Sequence, residues 1–334
     1  MKNAYHILAL IFFIISCKST SEVKTIGSIE KLDASLDAII SEGAIIEKLG
    51  EGYEWSEGPV WVESEKMLLF SDVPKNTIYK WSEANGVEVY LTPSGYTGTG
   101  PSQSREPGSN GLTLDQDGQL ILAQHGDRRV ARMDAPLSRP RPTFVTIADH
   151  YNGKKFSSPN DVVVRSNGDI FFTDPPYGLA KQDEDPSKEI PFNGVYKSTP
   201  SNEVTLLVDS LTRPNGIAFF PGEKRFIVAN SDAGKAAWYL YELNESDSIV
   251  SQQIFRDVTE NVKAGEKGLP DGLKIDRQGN VFATGPGGIW IFNAEGKLLG
   301  KIRLDQATAN CALADGDKTL YITSHMYLLR IKMR

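Results

Sequence analysis

Six copies of one pattern run along the chain, and this repetition constrains the fold more than any other feature. Each copy has a polar residue, a short apolar strand, a turn rich in Gly, Asn and Asp, and a second apolar strand, as in GLTLDQDGQLILAQ after Asn110. Turns of this chemistry are typical of β-hairpins. The polar residues that open the six copies are Glu57, Asn110, Asn160, Asn215, Asp271 and Asn310.

Each hairpin is followed by a third apolar strand, and runs such as VEVYL at 87–91 and KLLGKIRL at 297–304 supply a fourth. Four strands per repeat, at spacings of roughly 40 to 55 residues, indicate a β-propeller. We therefore predict an all-β fold over residues 36–334, a six-bladed β-propeller with four-stranded antiparallel blades. A strand near residues 45–49 would complete the blade that contains the C-terminus.

The N-terminus has a different character. Residues 1–16 hold one lysine and an apolar run from Ile7 to Ile15, which is typical of a signal peptide and too short to span a membrane. The stretch IISC resembles the lipobox of bacterial lipoproteins and predicts lipidation of Cys17, with a plain signal peptide as the alternative. Residues 17–35 would then be a tether. The protein would be exported and would face the periplasm or cell surface, with this lipid as its membrane contact.

Composition narrows the classes of function. The formal net charge is −7 at pH 7, so we expect no basic surface for nucleic acid. The chain has two cysteines, and if Cys17 carries lipid, Cys311 alone can form neither an intramolecular disulfide nor a cysteine-based zinc site. The sequence also lacks a G-x-S-x-G nucleophile motif and a glycine-rich phosphate loop.

The six polar residues form a ring, because the first strand of every propeller blade lines the central channel. Glu57 and Asp271 are acids whose charges repel unless a cation lies between them. Carboxylate and amide oxygens suit one hard divalent cation, and so wide a ring favours Ca²⁺ over Mg²⁺, Mn²⁺ or Zn²⁺. Loop capping is the alternative role, and for Asn110 and Asn310 both roles remain open. The predicted metal ligands are Glu57, Asn160, Asn215 and Asp271.

Four motifs in the repeats resemble those of one protein family. They match, in order and spacing, the SMP-30/gluconolactonase/LRE family of six-bladed propellers, from about residue 51 to the C-terminus. FFTDPPYGL at 171–179 is most similar to the bacterial gluconolactonase branch. The four motifs are EGPVW at 57–61, SPNDVVV at 158–164, RPNGIAF at 213–219 and PDGLKID at 270–276.

The resemblance implies a divalent-metal-dependent hydrolase of small sugar lactones. It implies that Glu57, Asn215 and Asp271 bind the metal and that Asn160 lies beside the metal and orients the substrate. Related propellers include organophosphate-hydrolysing enzymes with a similar ring, so the fold alone does not fix the substrate.

Loops that join the second and third strands of each blade lie on the same face as the ring, because the first two strands form a hairpin. The loop 175–193 is the longest of these, and we expect it to be a lid or a substrate wall. The side chains that we expect to bind the substrate are Asn110, His125, Arg128, Asn160, Tyr177 and His325.

These residues suggest a hydrolytic mechanism. The lactone carbonyl would be polarised by the cation, and Asp271 would accept the proton of the attacking water, with Glu57 or His125 as substitutes. One alternative is a non-catalytic propeller that binds a carbohydrate or a protein partner and holds structural calcium. Another alternative is a metal-dependent phosphotriester or aryl ester hydrolase.

Overall fold

The computed structural model of the protein describes residues 24–334. The predicted signal peptide and the predicted lipidation site Cys17 lie outside the described residues. Within residues 24–334, no helix combines the length and the apolarity that crossing a membrane requires. The described chain is almost entirely β-strand and turn.

Six antiparallel sheets surround a central channel, which confirms the predicted six-bladed propeller. Two strands precede the first hairpin: β1 (Ser28–Lys31) and β2 (Ile46–Glu51). Blade 1 contains β3 (Ser56–Val62), β4 (Met67–Asp72), β5 (Thr77–Ser82) and β6 (Gly86–Leu91). Blade 2 contains β7 (Ser109–Leu114), β8 (Leu120–Gln124), β9 (Arg129–Met133) and β10 (Phe144–Ala148), and a small hairpin follows it, β11 (His150–Tyr151) and β12 (Lys154–Lys155).

The remaining blades repeat this order of strands. Blade 3 contains β13 (Val162–Val164), β14 (Ile170–Asp174), β15 (Gly194–Ser198) and β16 (Val204–Val208). Blade 4 contains β17 (Pro214–Phe219), β18 (Arg225–Asn230), β19 (Ala237–Leu243) and β20 (Ile249–Asp257). Blade 5 contains β21 (Leu273–Ile275), β22 (Val281–Gly285), β23 (Gly288–Phe292) and β24 (Leu298–Arg303). Blade 6 contains β25 (Asn310–Ala314), β26 (Thr319–Ser324) and β27 (Tyr327–Lys332).

Helical turns are few among the described residues. One short α-helix, α1, spans Thr259–Lys263 between blades 4 and 5. Two 3-10 turns cover Ala34–Ala38 and Gln182–Glu184.

The ring of blades is closed by β2, which pairs with β27 from Ile46 opposite Ile331 to Glu51 opposite Tyr327. Blade 6 therefore combines three C-terminal strands with one N-terminal strand, as the apolar segment near residues 45–49 predicted. Pairing of the two ends of the chain removes a free gap between the first and last blades.

The predicted tether of residues 17–35 extends too far into the domain. Strand β1 pairs with β24 as a fifth strand of blade 5, with Ser28 opposite Arg303. A Cβ atom on Gly300 would lie 2.5 Å from the carbonyl oxygen of Glu30, so glycine permits this approach. Just beyond β1, Leu36 is buried among the apolar side chains of blades 5 and 6. The folded domain therefore begins before residue 36.

Apolar side chains fill the wedge between each pair of neighbouring blades, and six clusters result. Strand β4 shows how alternation produces this arrangement. Its residues Leu68 and Phe70 pack toward blade 6, whereas Met67 and Leu69 pack toward blade 2, because successive side chains of a strand point to opposite faces. The core is therefore a closed circle of sheet-to-sheet contacts.

Glycine follows four of the six ring residues, because the inner strands touch at this level. A Cβ atom on Gly58 would lie 1.9 Å from the carbonyl oxygen of Asn110, and one on Gly272 would lie 1.9 Å from the side chain of Asn310. Blade 3 has Asp161 at this position, and blade 6 has Cys311. Both are fully enclosed by protein.

Candidate active site

A cavity of about 550 Å³ opens at the mouth of the channel where the first strand of each blade begins. Its size is ordinary for a small-molecule site. Five of the six predicted ring residues line this cavity: Glu57, Asn110, Asn160, Asn215 and Asp271.

The nitrogen atoms of two ring amides contact neighbouring side chains. Asn215 Nδ2 donates to Ser231 Oγ at 3.1 Å, and Asn160 Nδ2 lies 3.4 Å from His125 Nε2. Each contact occupies the donor side of the amide and leaves Oδ1 for other partners. The buried Oδ1 atoms of Asn160 and Asn110 have no hydrogen-bond partner among residues 24–334. The amides therefore present acceptor oxygens.

Glu57 is held in a similar way through one carboxylate oxygen. Its Oε2 accepts from the Gly58 backbone N–H at 2.9 Å and from Asn310 Nδ2 at 3.4 Å. The side chain is 2% exposed. A carboxylate that is fixed through Oε2 and buried presents Oε1 in a defined direction.

Asn310 does not line the cavity, and its oxygen is already engaged. Its Oδ1 accepts from the Cys311 backbone N–H at 2.9 Å and from Lys274 Nζ at 3.3 Å. Of the two roles that the sequence left open for Asn310, the structure supports capping. Its amide orients Glu57 instead of joining the acceptor ring.

Asp271 is the second carboxylate of the ring and is partly exposed toward the cavity. Its Oδ1 is buried and has no hydrogen-bond partner in the described part of the chain. Burial raises the pKa of Asp271 well above its usual value, and the charges of Glu57, Asp161 and Glu106 raise it further. The Gly272 backbone N–H opposes this rise, but the burial and the neighbouring negative charges have the larger effect on the pKa.

Burial also raises the pKa of Glu57 to about 7, and the charge of Asp161 adds to this effect, while the Gly58 N–H opposes it. Asp161 was not predicted as part of the site. It follows Asn160, at the position where four other blades have glycine, and it is 2% exposed. Burial raises its pKa as well. The channel thus contains three carboxylates that are short of positive partners.

The donor set fits a hard divalent cation. Three residues that line the cavity, Asn110, Asn160 and Asp271, each have a buried oxygen without a partner in the described part of the chain. Uncompensated buried acceptors are costly. Within residues 24–334, no three His, Cys, Asp or Glu side chains group as metal ligands. A cation in this cavity would therefore need amide oxygens beside the two acids, which favours calcium or magnesium chemistry.

The chain matches a family model described as the SMP-30/Gluconolactonase/LRE-like region over residues 55–326. The chain belongs to this family. The resemblance that the four motifs carry is thereby confirmed over most of the sequence.

Comparison with individual proteins also finds lactonases. The chain is 40% identical to a gluconolactonase of Zymomonas mobilis, over 96% of the chain and 90% of that protein. It is 22% identical to a pentonolactonase of Haloferax volcanii, over 80% of each. The solved structure of a gluconolactonase from Xanthomonas campestris superposes with a TM-score of 0.78 at 26% identity, covering 94% of the chain and 99% of that structure.

Three predicted substrate-binding residues of this family member do not line the cavity. His125 is 1% exposed and lies behind Asn160, with its Nδ1 3.4 Å from Glu106 Oε2. Arg128 Nε donates to the backbone carbonyl of Phe156 at 2.6 Å. His325 packs edge-on against Trp55, with ring centroids 5.6 Å apart. The sequence predicted the correct face of the propeller for these residues, but their side chains point away from the cavity or are buried behind its lining.

Tyr177 does line the cavity, as predicted, and the loop 175–193 that carries it is tied to its neighbours. The Gly178 carbonyl accepts from Arg105 N at 3.2 Å and from Ser104 Oγ at 2.5 Å. Farther along, Asp183 forms an ion pair with Arg213. These contacts make the loop a fixed wall of the cavity.

Connections between blades supply walls that sequence reasoning missed. The segment from β6 to β7 contributes Arg105 and Glu106, and the segment from β20 to β21 contributes Val262 and Leu269. Each connection returns from the outer strand of one blade to the inner strand of the next, so it ends at the mouth. The long segment 92–108 between two predicted blades was the available signal.

The opposite end of the channel opens into a larger cleft of about 740 Å³. Its walls are the later residues of the inner strands, mostly apolar, such as Val162 and Ile217. Lys274 lines this cleft, and its Nζ donates to Asn310 Oδ1 from this end of the channel. The cleft lacks the convergent acceptor oxygens of the mouth, so the smaller cavity is the better candidate for chemistry.

Proposed function

We propose that this protein is a divalent-cation-dependent hydrolase that opens a sugar lactone of the gluconolactonase type. The observation that carries the proposal is the convergence of the Asp271 carboxylate with amide oxygens that lack partners, at the floor of a small-molecule cavity. Water is the second substrate, and the product is the open-chain sugar acid.

The predicted enzyme class, a lactone hydrolase, is confirmed by the gluconolactonase that is 40% identical over nearly the whole chain. The pentonolactonase relative belongs to the same class. Both names concern sugar lactones, which supports a small neutral ligand for this cavity.

Glu57, Asn215 and Asp271 would hold the cation, with Asn160 beside it. A bound divalent cation supplies Lewis acidity toward a carbonyl oxygen. Ca²⁺ is the expected ion, because the donors are all oxygens and the rigid ring is wide, and Mg²⁺, Mn²⁺ or Zn²⁺ are the alternatives. The three protein donors leave room for water and substrate, which distinguishes such a site from a fully enclosed structural ion.

Asp271 is the proposed general base. Its Oδ1 has no hydrogen-bond partner in the described part of the chain, so one carboxylate oxygen is available to accept a proton from the attacking water. Glu57 is less suited, because its Oε2 is already shared by Gly58 and Asn310. His125 is buried behind Asn160 and does not itself line the cavity, so it would act only through Asn160 or Glu106.

The substrate would be oriented by Asn110, Asn160 and Tyr177. The two amide oxygens accept hydrogen bonds from sugar hydroxyls, and the Tyr177 hydroxyl, which donates to the Ser231 carbonyl at 3.4 Å, can accept another. Glu106 and Gln182 add polar groups to the wall. These donors and acceptors surround the floor on the side of blades 2 to 4.

Aryl ester or phosphotriester hydrolysis is a second candidate, because one side of the cavity is apolar. Trp55, Val262 and Leu269 line that side, and such a surface suits an aromatic leaving group.

We also propose that the protein is an exported lipoprotein, anchored through Cys17 and facing the periplasm or cell surface. The proposal is supported by the sequence of residues 1–17 alone. Labelling with a radioactive fatty acid that is lost in Cys17→Ser would support it, and a Cys17→Ser variant that is labelled equally would contradict it.

The test of the proposed function is cation add-back. Protein stripped with a chelator is mixed with glucono-1,5-lactone, and acid release is followed with a pH indicator, with Ca²⁺, Mg²⁺, Mn²⁺ or Zn²⁺ restored one at a time. We expect release above the spontaneous rate that returns with one cation. Full activity in chelator would show that hydrolysis needs no cation. No activity on this lactone with any of the four cations would contradict the proposed substrate.

A further inference from the structure

Lys274 enters the channel from the end opposite to the proposed active site. It lies three residues after Asp271 on β21 and lines the lower cleft. Its Nζ donates to Asn310 Oδ1 at 3.3 Å and to the Leu273 carbonyl at 3.1 Å. Because Asn310 Nδ2 in turn donates to Glu57 Oε2, this ammonium is separated from the ring carboxylate by a single amide.

Asp161 lies in the same layer of the channel. Its Oδ1 accepts from the Val162 backbone N–H at 3.0 Å, and its Oδ2 accepts from the Ile217 backbone N–H at 3.3 Å. Both donors are neutral, so the negative charge of Asp161 has no ion pair among residues 24–334. Arg277, at the rim of the lower cleft, is exposed and paired with Asp317, so it does not offset this charge.

The charges of this interior group have a simple balance. Within the channel, Glu57, Asp161 and Asp271 contribute three negative charges when they are ionised, and Lys274 contributes one positive charge. Glu106 and its neighbour Arg105 lie on the cavity wall and contribute one charge of each sign. The remainder equals the charge of one divalent cation. Burial makes any imbalance costly, because charges interact strongly where water is excluded.

We propose that Lys274 is the internal counter-ion that matches this channel to a divalent cation, and that Asp161 is the carboxylate whose charge it offsets. The proposal rests on the proposed function, because it concerns the cation bound there. Lys274 is a positioning and charge-setting residue, since it touches Asn310 and not the cavity. In four other blades the residue at this position is glycine. A glycine at position 161 would leave the Lys274 ammonium without this carboxylate to offset.

Loss of the ammonium should favour cations of higher charge. Coulomb energy is proportional to the product of the charges, so removing one positive charge strengthens binding of a trivalent ion by one and a half times the gain for a divalent ion. Removing the Asp161 charge should do the opposite. Removing both charges should restore the original balance, so the double-mutant cycle requires the two single effects to cancel.

The experiment measures cation binding and not turnover. Purified, chelator-stripped protein is titrated with Tb³⁺, whose luminescence the cavity residue Trp55 can sensitise, and Ca²⁺ is measured by competition. The variants are Lys274→Met, Asp161→Asn and the double variant. The matched control is Lys301→Met on β24 of the same blade, which removes an ammonium that is 6% exposed and lies over the Trp290 ring.

We expect Lys274→Met to lower the Kd for Ca²⁺ about tenfold and that for Tb³⁺ about thirtyfold, so that selectivity for the trivalent ion rises about threefold. Asp161→Asn should weaken both ions in the same proportion. The double variant should bind both within about threefold of wild type, and Lys301→Met should match wild type. Because Asp161→Asn tests the same balance from a second residue, misfolding of one variant leaves the other measurement.

Equal or weaker binding of both ions in Lys274→Met, with normal binding in the control, would overturn the proposal. A double variant whose losses simply add would overturn it as well. If the wild-type protein binds neither ion, both the cation dependence of the proposed function and this inference are refuted. Wild-type binding with the expected shifts, but no hydrolysis of any lactone, would refute only the proposed function.

Discussion

At the scale of single residues, two aspartates near the mouth of the channel have different roles, and their hydrogen bonds distinguish these roles. Asp174 ends β14, and its two carboxylate oxygens accept the backbone N–H groups of Ser157 and Ser158 at 2.9 and 2.7 Å. Asp271 lies two residues before β21, the inner strand of blade 5, and its Oδ1 accepts no hydrogen bond from the described residues. The first carboxylate is satisfied by the loop that it caps, whereas the second is available for a ligand.

Asp174 gives a prediction about pH and stability. Burial raises its pKa to about 7, against the N–H groups of Ser157 and Ser158 and the charge of Arg128. In the unfolded chain the pKa is about 3.9. Between these values the folded state holds a proton that the unfolded state has lost, so the contribution is complete below pH 4 and declines as pH rises toward 7.

We therefore expect the free energy of unfolding of wild type, minus that of Asp174→Asn, to fall between pH 4 and 7 by up to about 1.4 kcal/mol per pH unit. The difference should be flat above pH 8. Urea unfolding in chelator measures it, since the variant shares every other titrating group. Parallel stability profiles for the two proteins would show that Asp174 titrates alike in both states.

At the scale of elements, the cavity is built by connections of two kinds. Loops within a blade supply Tyr177, and connections between blades supply Glu106 and Leu269. The two kinds meet at Gly178, whose N–H donates to Ser158 Oγ at 2.9 Å and whose carbonyl accepts from the segment 92–108. The substrate wall is thus fixed by contacts between loops of different blades.

Gly178→Ala tests that wall. A Cβ atom there would lie 2.7 Å from Ser158 Cβ and 3.0 Å from His125 Cβ, so the loop must move. We expect stability to fall by about 1 to 3 kcal/mol and KM to rise at least about fivefold as Tyr177 shifts. Gly100→Ala, on the facing segment, meets nothing within 4 Å and is the control. An unchanged KM in Gly178→Ala would show that the wall does not contact the substrate.

At the scale of the whole molecule, the sequence was most informative where the fold repeats. Six hairpins predicted six blades, and the residue before each hairpin predicted the ring, because the geometry of a propeller brings equivalent positions together. The strand β1 was missed, since it is a fifth strand with no counterpart in other blades. Its pairing depends on Gly300, and nothing local to residues 28–31 signals it.

The four predicted metal ligands line one cavity, whereas three of the predicted substrate-binding residues do not line it. Glu57, Asn160, Asn215 and Asp271 converge as expected, whereas His125 lies behind Asn160 because its ring is turned toward Glu106. Side-chain direction in an irregular loop is set by tertiary contacts, which repetition does not encode. Asp161 and Lys274 were missed because each departs from the repeat in a single blade.

The central claim is that Asp271 in this ring performs the chemistry, and the most direct test is the kcat of Asp271→Asn on glucono-1,5-lactone at saturating Ca²⁺. The control is Asp276→Asn, at the other end of β21, where the carboxylate accepts backbone N–H groups of a turn. We predict that kcat falls about 10²- to 10⁴-fold in Asp271→Asn. Its melting temperature in chelator should be unchanged or higher, because a buried, unpaired charge is removed, and the control should keep its kcat. A kcat for Asp271→Asn close to that of wild type would contradict the account.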